Sequence, residues 1–420
     1  MAPSRAPNDP RRVATVMLSW HSLALVSCTT LQTLWAGYGH ICAITARATT
    51  DAAAHRLDKL CGAQGGAAGT TYPLILKLIS PPDAGDEGHL RKMLSYDVEQ
   101  YFYSAVAPSL LDDDVAVAGC LATTRDMSGC RDGEEELRGL TATIMTDLRP
   151  KFPVAGEKRA VLDAKQVLGA LEWLGKFHGR SWRWLPDSLD AYVLPPLDES
   201  RRRKSSDGRA GGTKLWLNGG YTYLATRRKE YAALAEDADS EWSMPLCQPP
   251  RGSLLSVAEM AAAFLTPSGR PFETYIHGDV KSENLFTTPG GDKVAFFDFQ
   301  YVGLGLGVCD LAKLFTCSVP LEMLVDDADG PLPEELTMCQ GEMQLLERYR
   351  QHLLAEDGSK VYGWDAFQRH WDTALVDWCR FQASWGFWGN TEWLEARVRS
   401  ILNDEEWKDW LQQSISDRSD

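Results

Sequence analysis

Three things are scarce or missing in this 420-residue sequence, and each narrows it. Ten cysteines stand at 28, 42, 61, 120, 130, 247, 309, 317, 339 and 379, and no two form a Cys-x-x-Cys pair. That spacing excludes a zinc ribbon and a thioredoxin-like site, and reads as the reduced thiols of a cytoplasmic chain. Positive charge is short, with 43 basic against 58 acidic residues and a net charge of −15. Such a balance argues against nucleic acid and against anionic membranes as partners. It fits a solvated acidic surface, or one that tolerates a cationic substrate. A membrane-length apolar run is also missing. Val13–Val26 follows Arg5, Arg11 and Arg12 and superficially resembles a signal peptide, but it is too short to cross a bilayer. Trp20-His21-Ser22 interrupts it and no small-x-small cleavage site follows, so a disordered basic tip leading into a helix or strand is expected.

With 44% hydrophobic residues the chain has ample material for two lobes or domains. Its densest pattern is Tyr275-Ile276-His277-Gly278-Asp279-Val280-Lys281-Ser282-Glu283-Asn284-Leu285-Phe286. A Pro-Gly-Gly-Asp turn and Val294-Ala295-Phe296-Phe297-Asp298-Phe299-Gln300 come next. The turn between apolar runs predicts a hairpin, with Asp279 and Asn284 on the loop entering its first strand and Asp298 at the exit of its second. Three short oxygen-bearing side chains on converging loops suit a Mg²⁺ that also carries phosphate and water. The order His-x-Asp-x-Lys-x-x-Asn, then Asp-Phe, has the mechanics of phosphoryl transfer from ATP. Asp279 orients and deprotonates a hydroxyl, while Asn284 and Asp298 hold metal. Lys281, two residues after Asp279, is placed to neutralise the transferring phosphoryl group, unless it simply faces solvent. A polar hairpin in an ordinary α/β domain is the bland alternative.

Two weaker signals lie upstream. Gly37-Tyr38-Gly39 between β-prone runs over Leu31–Thr45 fits a hairpin whose backbone N–H groups cover nucleotide phosphates, though a plain β-turn reads equally well. Lys77 interrupts the apolar strand Tyr72–Ile79, where an ammonium must be paired, meet an anion or sit at an edge in solvent.

His277-Gly278-Asp279 with Asn284, then Asp298-Phe299-Gln300 and Asp310-Leu311-Ala312, resembles the aminoglycoside phosphotransferase and choline kinase superfamily. Within it the sequence looks most like the ecdysteroid-kinase-like branch, which also carries Asp-Phe-Gln. The resemblance spans most of residues 31–390, and it departs from the branch at Lys281, where many members carry an aromatic residue. It implies an α+β, bilobal protein-kinase-like fold. A 1–30 extension precedes a small β-rich lobe over 31–146, and a larger, mostly helical lobe over 147–420 contains the catalytic loop 275–300. It also implies that Glu99, in the helical stretch Leu90–Val106, pairs with Lys77. The hinge over Leu140–Leu148 would face adenine with backbone near Met145–Asp147, where Asp147 matches an acidic family position. Asp310 would support the catalytic loop, as would His277. ATP and Mg²⁺ are the implied cofactors and a hydroxyl-bearing small molecule the partner. A catalytically silent pseudokinase that binds a ligand or partner is the alternative.

The remaining stretches read structurally. His55–Thr71 is Gly/Ala-rich and expected as a loop, and Arg201–Lys204 lies in an expected surface loop or basic docking patch. Ala160–Phe177 and Ser256–Leu265 are expected helices, with His178 a core or capping residue. Trp364, Trp371, Trp378 and Trp385, with Phe367, Ala374, Phe381 and Trp388 between, predict one helical stripe. That stripe is a core seam or an aromatic, cation–π wall for the acceptor, with Asp377 and Arg380 paired beside it. Only eleven residues separate Asp298 from Asp310, with no Ala-Pro-Glu, which leaves no protein-kinase activation segment.

Overall fold

The computed structural model describes residues 9–82, 85–110, 114–129, 131–186, 188–205 and 214–416. The chain divides into two compact units, Met1–Lys151 and Phe152–Asp420.

The first unit is a five-stranded antiparallel sheet in the order β1-β2-β3-β5-β4. It comprises α1 (Pro10–Ser19), β1 (Leu23–Thr33), β2 (Gly39–Ala48), α2 (Asp51–Cys61), β3 (Thr71–Ile79), α3 (Glu87–Tyr101), β4 (Cys120–Thr123) and β5 (Thr141–Thr146). A π-helical turn, Phe102–Val106, extends α3. Alternation of Leu74, Leu76 and Leu78 puts one face of β3 into the core with Ile44 and Ile144. Within residues 10–30, Val13, Ala14, Val16, Met17, Leu18 and Leu23 are members of this core. Val13, Met17 and Leu18 of α1 bury against the sheet because Asp9 caps the helix and Pro10 opens it. Trp20-His21-Ser22, the break in the apolar run, is the turn into β1, with Ser22 at φ 57°.

The expected loop over 55–71 is helical as far as Cys61. Thr50 caps α2 and Gly62, left-handed at φ 67°, ends it, so only the glycine-rich residues 62–70 form a loop.

The second unit is mostly helical. In order it holds β6 (Val154–Ala155), α4 (Ala164–Ser181), α5 (Pro196–Ser205), α6 (Arg228–Glu236), α7 (Ser243–Cys247), α8 (Val257–Leu265) and β7 (Glu273–Ile276). β8 (Leu285–Thr287), β9 (Val294–Phe296), β10 (Gly303–Leu306), α9 (Val308–Ser318), α10 (Gln340–Ala355), α11 (Trp364–Trp385), α12 (Thr391–Leu402) and α13 (Glu405–Ser416) complete it. β6, β8 and β9 pair antiparallel, as do β7 and β10. α11 is the hub, packing on α6, α8, α9 and α12. Its stripe is core at Phe367, Trp371, Ala374, Trp378 and Phe381, but Trp385 is 57% exposed. Trp388 lies past the helix end and folds back, its ring 5.6 Å from that of Trp378.

Arg201–Lys204 is not a loop but the last turns of α5. Glu199 accepts from Arg202 and Arg203 at i+3 and i+4, so two of these cations are spent locally. Residues 206–212 of that expected loop, which runs from Asp198 to Gly212, lie outside the described residues.

Candidate active site

The loop between β7 and β8 is held rigid from below. Asp310, near the start of α9, accepts backbone N–H bonds from His277 (2.7 Å) and Gly278 (2.9 Å), and a third from His178 Nε2 (3.1 Å). Burial alone would raise its carboxyl. The His178 bond and the neighbouring His178, His277 and Lys313 outweigh burial and hold it below the ordinary range. His178 meets the Tyr349 hydroxyl through Nδ1, so it is a core residue that positions Asp310. His277 packs against Phe299, with rings 4.7 Å apart; its Nε2 donates to Phe297 O and its Nδ1 accepts the Asp279 N–H. Burial lowers its pKa, in keeping with that neutral tautomer.

On the upper side of the loop stands Asp279. Its Oδ2 accepts from Asn284 Nδ2 at 2.9 Å and lies 3.2 Å from Lys281 Nζ. Asn284 Nδ2 also donates to Asp279 O, so both of its amide protons are spent and its Oδ1 has no protein partner among the described residues. Lys281 bridges to Glu283 at 3.3 Å. Burial opposes its charge, but the two carboxylates prevail and its pKa is raised. Phe297 N donates to Asn284 O across the β8–β9 ladder, which sets Asp298 one residue beyond that pairing. Asp298 is left-handed at φ 65° and accepts from Gln300 Nε2. A backbone held in that region by a non-glycine residue is the kind of strain that marks functional turns.

Asn284 and Asp298 offer hard oxygen donors, the kind Mg²⁺ prefers. No group of three or more His, Cys, Asp or Glu side chains that could hold a metal occurs among the described residues. Two such donors would leave most of a Mg²⁺ shell to water and phosphate oxygens.

In the first unit Lys77 Nζ lies 2.6 Å from Glu99 Oε2, both buried. At the β1–β2 turn the Gly37 and Tyr38 N–H groups bond to Leu34 O and Trp35 O, so the turn itself consumes them. Gly39, at φ 144°, starts β2, where a Cβ would stand 2.0 Å from Leu78 O. The β5 ladder takes in Met145, and Thr146 N donates to Gly119 O, so the first backbone beyond it is Asp147–Leu148. The Asp147 carboxylate is bound by Arg149 at 2.6 Å.

Sequence reasoning missed the residues around Asp279. Lys313 Nζ, buried on α9, donates to Gly278 O at 2.6 Å. Its position three residues after Asp310 on one helix was the available signal. Tyr221 and Cys317 also stand near, and no local pattern announces either. Burial first, then Asp279, raises the Tyr221 pKa well above the ordinary value and pushes the Cys317 thiol up to about 12.

The ecdysteroid kinase-like family model matches residues 55–332. Among solved structures, an ethanolamine kinase of Plasmodium vivax is 11% identical, with 92% of this chain and 84% of that one covered and a TM-score of 0.38. A macrolide 2'-phosphotransferase from Brachybacterium faecium is 11% identical over 94% of this chain and 98% of that one, at 0.38. A choline kinase from Cryptosporidium parvum is 10% identical over 95% and 91%, also at 0.38. No curated protein sequence matches. Among the described residues no helix is long and apolar enough to cross a membrane.

Proposed function

The chain belongs to the ecdysteroid kinase-like family, and from that premise we propose that it transfers the γ-phosphoryl group of ATP to a hydroxyl of a small molecule. The observation that carries this reading is the fixed Asp279 carboxylate, held by Asn284 and Lys281 on a loop that Asp310 locks from beneath. Asp279 accepts the hydroxyl proton as the acceptor oxygen bonds to the γ-phosphorus and the bond to the ADP oxygen breaks. Lys281 brings positive charge to the phosphoryl oxygens as negative charge shifts to the leaving group. Lys77, oriented by Glu99, is the proposed phosphate anchor of the first unit, and the segment after Met145 that includes Asp147 is the proposed adenine hinge. Asn284 Oδ1 and Asp298 would hold Mg²⁺, which when bound neutralises phosphate charge.

One observation favours a second reading, a pseudokinase that binds nucleotide or a partner without turnover. The Gly37 and Tyr38 amides are spent inside their turn, which leaves few donors there for phosphate. Labelled ATP and a metabolite extract, with the purified protein, separate the two. Transfer that stops with chelator and returns with Mg²⁺ is expected, and Asp298→Ala should cost at least about 10²-fold without unfolding. Bound nucleotide with neither transfer nor hydrolysis would establish the pseudokinase.

A further inference from the structure

Close to Asp279 the second unit builds an aromatic wall. The Tyr221 and Tyr301 rings are 5.0 Å apart, Tyr221 meets Phe381 edge-on at 5.8 Å, and Phe381 stacks on Trp385 at 6.0 Å. Trp385 leaves more than half its surface in solvent, so the wall has an open rim. Tyr301 lies three residues after Asp298, and Tyr221 shares the cation of Lys313 with the Gly278 carbonyl of the catalytic loop. The wall therefore adjoins the site assigned to hydroxyl activation.

Electron-rich rings of this kind would ordinarily attract an ammonium group. Here the faces of Tyr221, Phe381 and Trp385 already carry a cation of the protein. The Arg227 guanidinium lies 4.9 Å from the Trp385 ring and 5.5 Å from both Tyr221 and Phe381. It is buried at the N-terminus of α6, fixed by Tyr221 O (2.9 Å) and Glu230 (3.1 Å). Lys313 adds an ammonium 5.5 Å from Tyr221 and 5.9 Å from Trp378, and no carboxylate lies within ion-pair distance of it among the described residues. Along the wall Glu230 is paired with Arg227 and Asp377 with Arg380 at 2.7 Å, while Asp279 lies against Lys281. A cationic acceptor lying on these rings would meet like charge.

We propose that Arg227 is a specificity-determining residue, filling the aromatic wall with the protein's own cation so that the wall takes an uncharged hydroxyl compound and rejects amino-alcohols. This rests on the phosphotransferase reading for the role of the wall, but its test reads binding and not transfer.

The probes are choline and its uncharged carbon isostere 3,3-dimethylbutan-1-ol, titrated by NMR against the full chain without nucleotide. The wild type should bind the alcohol at least about tenfold more tightly than choline. Arg227→Met, which keeps the apolar stem and removes the charge, should move that ratio towards choline by about tenfold or more. Arg227→Lys should retain the wild-type preference. Trp385→Ala, at the exposed rim, should weaken alcohol binding without unfolding the protein. The proposal is overturned by choline binding as tightly as the alcohol, by a ratio unchanged in Arg227→Met, or by neither probe binding the wild type. If Arg227→Met does not fold, loss of the preference in Arg227→Lys, or alcohol binding unaffected by Trp385→Ala, would equally overturn it. Charge-selective binding without any phosphoryl transfer would instead count against the kinase reading alone.

Discussion

At the scale of single residues, the loop requires a glycine at position 278. Gly278 has φ 83°, and a Cβ there would stand 2.3 Å from Tyr301 O and 2.6 Å from Gly220 N. Both neighbours are backbone, so neither can rotate away. Gly278→Ala should therefore displace Asp279, whose carboxylate needs its Asn284 and Lys281 contacts. Strain of about 1–3 kcal/mol is expected, with kcat falling by roughly 10²-fold while the protein stays folded. Near-wild-type kcat in a folded variant would show that the loop tolerates the shift. The motif His277-Gly278-Asp279 contains this residue, but the backbone that makes it indispensable, at Tyr301 and Gly220, is remote in the sequence. Arg227 and Tyr221 stand in no such motif. They join the wall through packing against Phe381 and Trp385, more than 150 residues on, and no local periodicity encodes that.

At the scale of elements, two joins carry separate expectations. β3 and α3 are linked by Lys77 and Glu99, 2.6 Å apart and buried, a geometry in which either partner alone is a liability. Lys77→Met and Glu99→Gln should each impair phosphoryl transfer, and the double variant should be little worse than either single. Additive losses would show that the two act independently. α10, α11 and α12 are joined by Arg397, which donates to Glu342 (2.9 Å) and Asp372 (3.0 Å), while the Trp371 indole donates to Glu342. Burial pushes the Asp372 carboxyl up to about 7 despite Arg397, and raises Glu342 as well. A carboxyl raised in the folded state binds its proton more tightly there than when unfolded. Its contribution is thus full at acidic pH and is lost as pH rises through about 7. From pH 5 to pH 8 the melting temperature of the wild type should fall relative to that of Asp372→Asn, which keeps an acceptor for Arg397. Parallel curves would mean that Asp372 does not titrate in this window.

At the scale of the whole molecule, the sequence located the strands and helices that carry strong local patterns. β3, α3, β5, α4 and the β8–β9 hairpin all lie where apolar periodicity and turn residues placed them. It failed where a compositional cue stood in for a physical one. The helix or strand expected after the basic tip is the capped helix α1, whereas a Ser/Gly-rich neighbourhood concealed the Glu199–Arg202–Arg203 pairing that stabilises α5. The short stretch between Asp298 and Asp310 was legible by length alone, and the fold shows what fills it. After the 3₁₀ turn Phe299–Tyr301 the chain enters β10 at once, and β10 is buried along its whole length against β7. Gly303 lets the Trp216 backbone lie alongside, since a Cβ would stand 2.4 Å from Trp216 O, and Gly305 leaves room for the β7 side chain of Ile276, whose Cδ1 would be 2.6 Å from a Cβ. A strand used up in this way offers no platform on which an extended peptide can lie, whereas the proposed acceptor, a compact molecule, would need only the wall beside Asp279. Steady-state assays should therefore detect transfer to small hydroxylated compounds and none to casein, histone or peptide libraries. Stoichiometric labelling of a folded protein substrate, abolished by Asp279→Ala, would refute this view of the acceptor.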